Sequence, residues 1–239
     1  MIDTDARVIR NVVILTGAGI SAESGLATFR DSGGLWEGHD PMEIATPEAF
    51  SRNPELVYRF YNARRQQMVD ALPNDAHSAL ARLQQDYPGD VFLVTQNVDD
   101  LHTRAGSPQV CHMHGELMSV LCQQCEARTP WQRDCDQYTL CPGCKSSGRV
   151  RPDIVWFGEM PYCTDEIDRR LIQCDLFVAI GTSGVVYPAA GFVREARRGG
   201  AITVEINREP SEVANEFHQQ RLGPATREVS ALVEELLTA

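Results

Sequence analysis

Two pairs of cysteines, Cys122-x2-Cys125 and Cys141-x2-Cys144, stand fifteen intervening residues apart in this 239-residue chain. Each Cys-x-x-Cys sets two thiolates on one tight turn, and two such turns complete a tetrahedron of sulfur, the ligand set of a zinc ribbon. With sulfur at all four positions there is no open place for water, so the spacing predicts one structural Zn2+, not a catalytic one. A redox dithiol would use one pair beside a helix N-terminus and fits less well. The remaining cysteines, Cys111, Cys135, Cys163 and Cys174, have no such spacing. Cys135 reads as incidental and the other three as small core or surface residues.

A second constellation lies near the start. The apolar run Val12-Val13-Ile14-Leu15-Thr16 leads straight into Gly17-Ala18-Gly19-Ile20-Ser21-Ala22-Glu23-Ser24-Gly25. A buried strand that runs through a glycine turn into a helix start can bring backbone N–H groups up to a pyrophosphate, because glycine has no side chain to block it. A nucleotide is therefore the first ligand to consider. The usual hydride-transfer fingerprint fits poorly: the third glycine is displaced to Gly25, and Ala27-Thr28-Phe29-Arg30 and a broken loop follow where a strand ending in an acid is required.

The elements that must position these groups can be read from the apolar pattern. Strands are predicted over 11–16, 91–95, 176–180 and 201–206, with a strand-like run at 150–157. Helices are predicted over 48–70 with Pro54 as punctuation, over 74–86 behind the cap Asn74-Asp75, near 188–198, and at the C-terminus with Val229, Leu232, Val233, Leu236 and Leu237 on one face. Residues 36–47 read as mostly loop. Alternating strands and helices imply a doubly wound parallel sheet, whose ligands sit beyond the carboxyl ends of the strands. Gly17–Ser21, Gln96–Asp99 and Gly181–Ser183 all occupy such ends. Residues 117–150 carry the paired cysteines among turn formers and read as a small inserted module.

The bulk numbers narrow the partners. A hydrophobic content of 43% and a charged content of 23% suit an ordinary globular protein. No apolar run reaches membrane-spanning length. Acids near the N-terminus do not fit a signal peptide, so a cytoplasmic location is expected. The net charge of -11 disfavours nucleic acid and would attract a basic protein segment.

Taken together, Gly17–Ser21 with Ser24-Gly25 and Phe29-Arg30, Thr95-Gln96-Asn97-Val98-Asp99 with Leu101-His102, His114-Gly115-Glu116-Leu117, the four paired cysteines, Phe157-Gly158-Glu159 and Gly181-Thr182-Ser183 resemble the sirtuin family, in its order and over most of the chain. The resemblance implies an NAD-dependent protein-lysine deacylase, with NAD consumed and acylated lysine side chains of proteins as substrates. It implies an α/β fold: a Rossmann-like NAD-binding domain (1–30, 74–118 and 151–239), and a smaller domain made of a helical insertion (31–73) and a zinc ribbon (119–150).

The same resemblance implies roles. His114 would be the general base on a ribose hydroxyl, for which an imidazole suits neutral pH. His102 and His112, close by in sequence, do not fit that position. Asn97 would position the ribose with help from Gln96, and Asp99 would hold the nicotinamide carboxamide. Gly17, Ala18, Gly19, Ile20, Ser21, Phe29, Arg30 and Trp36 would line the cofactor, Phe29 covering the reacting ribose. Gly181, Thr182 and Ser183 would cradle the phosphate and adenosine half, with Asn207 at the adenine ribose and Ala225 beside the adenine. Phe157, Gly158 and Glu159 would line the peptide channel.

One feature refines the substrate. Where many sirtuins carry an aspartate two residues before the arginine of the first motif, this chain has Thr28. Tyr61 and Arg64, preceded by Ala45, resemble the subgroup that removes succinyl, malonyl or glutaryl groups. At i, i+3 on a helix they share a face, and a guanidinium beside a phenol makes a carboxylate clamp. Ala45 would leave room for the longer acyl chain, and acetyl would still be admitted. Two other readings are an NAD-dependent ADP-ribosyltransferase and a non-catalytic NAD-sensing interaction module.

Overall fold

The computed structural model describes residues 8–27 and 39–238. In chain order the elements are β1 (Asn11–Thr16), α1 (Pro41–Ile44), α2 (Pro47–Arg52), α3 (Pro54–Asp70), α4 (Asp75–Asp86), β2 (Asp90–Thr95), α5 (Leu101–Arg104), β3 (Cys111–His112), β4 (Gly115–Cys122) and β5 (Arg128–Pro130). They continue with β6 (Val150–Ile154), α6 (Thr164–Gln173), β7 (Leu176–Ile180), α7 (Phe192–Arg198), β8 (Ile202–Asn207), β9 (Gln219–Leu222) and α8 (Ala225–Thr238). Six strands form a parallel sheet in the order β3-β2-β1-β7-β8-β9, and β5-β4-β6 form a small antiparallel sheet.

The central strands β1, β2 and β7 are apolar on both faces because helices cover both. Val12, Ile14, Val178 and Val204 pack with Leu80 of α4 and Val229 and Leu232 of α8, whereas Val13, Leu15 and Phe177 pack with Leu171 of α6 and Val193 of α7. Alternate residues of one strand thus feed opposite cores. Each such buried aliphatic side chain contributes roughly 1.5–3 kcal/mol relative to exposure. Among the described residues no helix is long and apolar enough to cross a membrane.

Strand register places the polar clusters. Thr16 stands opposite Thr95 on one side and Ile180 on the other. Residues 17–21, 96–99 and 181–183 therefore leave the sheet side by side at its carboxyl edge. The chain runs outward from β1 through β2 and β3, then returns to build β7, β8 and β9 on the other side, so the crevice between the β1 and β7 loops is the topological switch point.

Among the described residues the helix predicted after the glycine turn is not present. Two short 3-10 turns, Ala18–Ile20 and Ala22–Ser24, replace it and end at Gly25 with φ +85°. Ile20 drops its side chain into the core, and the hydroxyl of Ser21 is drawn towards the β2 loop, which tightens the backbone. The run predicted over 150–157 stops as a strand at Ile154. Beyond it the backbone bonds other partners, Val155 N–H to His114 O at 2.9 Å and Phe157 N–H to Ala45 O at 2.9 Å.

α3 is the spine of the smaller part. Ile44, Val57, Phe60, Tyr61 and Met68 pack with Leu117, Ile154 and Trp156, and Tyr58 packs with Val120, Trp131, Cys135, Cys141 and Val150 beneath the cysteine knuckles. Cys135 is a structural residue rather than an incidental one. It is buried, its N–H donates to Asn62 Oδ1 at 3.1 Å, and its carbonyl accepts from Asn62 Nδ2 at 2.9 Å. These bonds dock the cysteine module on α3.

The β1 and β7 loops touch so closely that only glycine fits. Gly181 has φ +62°, and a Cβ there would lie 2.5 Å from Ile20 N. From the other side, a Cβ on Gly17 would lie 2.8 Å from Gly181 O and one on Gly19 2.6 Å from Gly181 Cα. Gly181→Ala is expected to lower unfolding stability by roughly 1–3 kcal/mol or more, measured by urea titration. An unchanged midpoint would contradict this loop packing.

Candidate active site

A cleft of about 1440 Å3 runs between the carboxyl edge of the large sheet and the smaller part. On the sheet side it is lined by Gly17, Ala18, Gly19, Ser21, Gln96, Asn97, Asp99, Gly181, Thr182, Ser183, Asn207 and Ala225. Ala45, Tyr61, Arg64, Phe157, Gly158 and Glu159 line the opposite end, with His114 also in the wall. Ile20 differs from its predicted place at the cofactor: its side chain is fully buried in the sheet core. Phe29, Arg30 and Trp36 lie outside the described residues.

The floor is a buried polar network centred on Ser21. Its hydroxyl donates to Asp99 Oδ2 at 3.0 Å and accepts from Asn97 Nδ2 at 3.1 Å. His77 Nε2 lies 3.4 Å from the same oxygen, while its Nδ1 accepts the Asn74 N–H at 3.3 Å. His77 therefore carries its proton on Nε2 and donates it to Ser21. Asp99 Oδ1 accepts the Leu101 N–H at 3.1 Å. Burial raises the Asp99 pKa above its ordinary value, opposed by the bonds from Leu101 and Ser21. Asp99 keeps lone pairs beyond these two bonds, so a carboxamide N–H could be held there.

The three neighbouring histidines separate cleanly. His102 is buried, with Nε2 3.0 Å from Thr16 Oγ1. His112 lies 3.5 Å from Glu116. Only His114 lines the cleft. Its Nδ1 stands 3.1 Å from the backbone carbonyl of Gln96, and a carbonyl can only accept, so Nδ1 carries the hydrogen. Nε2 is left with its lone pair on a side chain in the cleft wall. Burial lowers the His114 pKa, partly offset by the bond to Gln96, so the ring is a neutral base at pH 7. Gly115 next to it has φ +82°, and a Cβ there would come 2.0 Å from Asp153 O. The glycine lets β4 meet β6 and so aims the histidine.

The loop after β7 is braced from within. Gln96 Nε2 donates to Thr182 Oγ1 at 3.1 Å, and Asn207 Nδ2 donates to Thr182 O at 2.8 Å. At the other end, Tyr61 is buried and its hydroxyl oxygen accepts from Trp156 Nε1 at 3.0 Å. Arg64 sits one helical turn on, its guanidinium 5.2 Å from the Phe60 ring centre. The Glu159 side chain, at the cleft wall, is engaged by Arg151 and by the Trp156 N–H.

One crevice at the carboxyl edge of a parallel sheet thus brings together a buried carboxylate, a neutral imidazole and a guanidinium. The Sir2 family description matches residues 17–188. The chain belongs to the Sir2 family. A Vibrio cholerae protein named NAD-dependent protein deacylase is 53% identical over 232 residues, spanning 96% of this chain and 94% of its own. A solved Sir2 homologue in complex with NAD is 37% identical with a TM-score of 0.87, over 96% of this chain and 90% of that one. A Sir2 structure with a p53 peptide and NAD+ is 29% identical with a TM-score of 0.81, over 99% and 96%.

The metal centre of this Sir2-family chain fits zinc on its own geometry. The sulfurs of Cys122, Cys125, Cys141 and Cys144 all lie within 4.8 Å of one another, with Cys122–Cys144 and Cys125–Cys141 at 3.7 Å. A tetrahedron with Zn–S bonds of about 2.3 Å has edges of about 3.8 Å. Cys122→Ser is expected to reduce bound zinc to well below one per chain and to lower Tm by roughly 5–15 °C, since such sites couple metal to folding. Unchanged zinc content and Tm would argue against a structural metal.

His77 stands just behind the α4 cap, and nothing in its own segment reveals its bond into the site. The missing signal is its partner: Ser21 is distant in sequence. Burial pushes the His77 pKa from 6.5 down to about 4. Between those values the unfolded chain binds a proton that the folded chain does not, so this stability is complete above pH 6.5 and is lost as pH falls towards 4. The loss amounts to about 3 kcal/mol at most. His77→Gln keeps a donor for Ser21 and is expected to flatten the decline measured by urea unfolding at pH 7 and 5. A decline identical to that of the parent would assign it to other groups.

Proposed function

We propose that this Sir2-family chain is an NAD-dependent protein-lysine deacylase that removes succinyl and related acidic acyl groups as well as acetyl. NAD, consumed together with one water, would supply an activated ribose: its bond to nicotinamide breaks, the acyl group passes to a ribose hydroxyl and water completes the release of the amine, giving nicotinamide, free lysine and O-acyl-ADP-ribose. The residues of the chain hold and move protons around that transfer. Asp99, fixed by Ser21 and Leu101, holds the carboxamide of the leaving group, and Asn97 places the ribose. His114 takes the proton of a ribose hydroxyl at Nε2, because its Nδ1–H is spent on Gln96 O. The carrying observation is that this base, the Asp99 carboxylate and the Tyr61–Arg64 pair line one cleft.

Acidic acyl groups are favoured by Tyr61 and Arg64 at the end of the cleft opposite the β7 loop, with Ala45 as a small wall residue. A carboxylate meeting a guanidinium and a phenol gains charge-assisted hydrogen bonds of about 1.5–3 kcal/mol each. Phe29, Arg30 and Trp36 remain part of the proposed cofactor site. The negative net charge favours basic protein segments as substrates over nucleic acid. The same proposal places the protein in the cytoplasm, where reducing conditions keep four zinc-binding thiolates intact.

The test supplies NAD with matched acetyl-lysine and succinyl-lysine peptides and follows peptide, nicotinamide and acyl-ADP-ribose by mass. Equal amounts of all three products are expected with both peptides. Arg64→Met is expected to reduce kcat/KM for the succinyl peptide about 10-fold or more, with a much smaller loss for acetyl. Equal losses on both would refute the clamp. Label from NAD transferred to protein would support an ADP-ribosyltransferase, and NAD binding without nicotinamide release a sensing module.

A further inference from the structure

Arg151 lies on β6, behind the cleft wall, and plays no part in the chemistry described above. Its side chain is only 5% exposed, an unusual place for a guanidinium. Its two terminal nitrogens grip Glu159, NH1 to Oε1 at 2.8 Å and NH2 to Oε2 at 2.7 Å, and NH2 also donates to Ile154 O at 3.0 Å. The guanidinium carbon lies 3.9 Å from the centre of the Trp156 ring. Glu159 in turn accepts the Trp156 backbone N–H at 2.9 Å. One ion pair therefore fixes Trp156 twice, through its backbone and across its ring face. Trp156, 2% exposed, has one polar atom on its side chain, and that atom donates to the Tyr61 hydroxyl oxygen at 3.0 Å.

The direction of that last bond matters. Indole N–H can only donate, so the phenol oxygen is the acceptor and the phenol's own hydrogen is the one left to give. Tyr61 lines the cleft beside Arg64. A tyrosine held as an acceptor on its buried side is presented as a donor on the other, which suits a carboxylate and offers nothing to a methyl group.

We infer that the Arg151–Glu159 pair is the positioning device for acyl-chain selectivity: it holds Trp156, and Trp156 turns the Tyr61 hydroxyl so that its hydrogen faces an acidic acyl group. This rests on the acidic-acyl reading of Tyr61 and Arg64 and extends it to Arg151, which does not line the cleft, acting through Glu159 and Trp156, which do. A cation stacked on a tryptophan in a desolvated site is attracted to the ring face, and a guanidinium this buried is costly to leave unpaired, so the pair holds one geometry. The sequence distance between Tyr61, Arg151 and Glu159 conceals the relation.

The test measures the ratio of kcat/KM for succinyl-lysine over acetyl-lysine peptide in full-length, zinc-loaded protein. Arg151→Met is expected to lower this ratio about 10-fold, mainly through KM for the succinyl peptide. Trp156→Phe, which lacks the indole N–H, is expected to lower it by a similar factor. The double variant should be little worse than either single one, because both act through one bond. In protein labelled with 5-fluorotryptophan, the 19F signal that disappears in Trp156→Phe should shift or broaden in Arg151→Met. Glu159→Gln makes the same two measurements if Arg151→Met fails to fold.

An unchanged ratio, an equal fall for both peptides, or single effects that multiply in the double variant would overturn the inference. Arg64→Met is run beside them. If it lowers the ratio while Arg151→Met and Glu159→Gln do not, the acidic-acyl reading stands and this inference falls alone. If Arg64→Met leaves the ratio untouched, the acidic-acyl reading fails and takes the inference with it.

Discussion

The four residues that leave β2, Gln96 to Asp99, are the point on which the cleft depends. Gln96 N–H is tied to Thr16 O, its side chain to Thr182, and its carbonyl to His114. Asn97 and Asp99 both bond Ser21, and Val98 O accepts the Leu117 N–H from β4. Segments far apart in sequence are thus fixed against one short stretch. Buried hydrogen bonds of this kind contribute modestly when made, but leaving one unmade costs about 1–3 kcal/mol, so the arrangement has few alternatives. The network is a constraint on geometry first and a source of stability second.

The smaller part is attached by the same logic. Arg65 of α3 is fully buried and donates Nε–H to Leu117 O at 2.9 Å and NH1 to Asn62 Oδ1 at 2.8 Å. Asn62 also holds Cys135 of the cysteine module. A single turn of α3 therefore joins the strand that follows His114 to the cysteine module, and Arg64, the residue just before Arg65, lines the cleft. A zinc ion held by the four cysteines would act on the site through this chain of contacts, by fixing the module that docks on α3. Its four sulfur ligands leave it no place for substrate.

What could be read from the sequence follows from what is local. The cysteine spacing declares its tetrahedron because all four ligands sit on two short turns. The strands declare themselves because β1, β2 and β7 are apolar on both faces. The glycine turn was legible as a ligand loop, but not the cause of its glycines, since Gly17, Gly19 and Gly181 make room for one another across 160 residues. The helix expected after that turn failed because Ile20 and Ser21 are held by the sheet core and the β2 loop, partners no local pattern reveals. His77, Arg151 and Trp156 escaped for the same reason. Each looks ordinary in its own segment and acquires a role only through a distant partner.

The central physical claim is that Gln96 O fixes the tautomer of His114 and so leaves a base at Nε2. A long-range 1H–15N spectrum of the protein at neutral pH, with the His114 signals assigned by their absence in His114→Ala, reads this directly. The account predicts a protonated Nδ1 and an unprotonated Nε2. A protonated Nε2 would contradict it, because the nitrogen facing the cleft would then have no lone pair with which to take a proton.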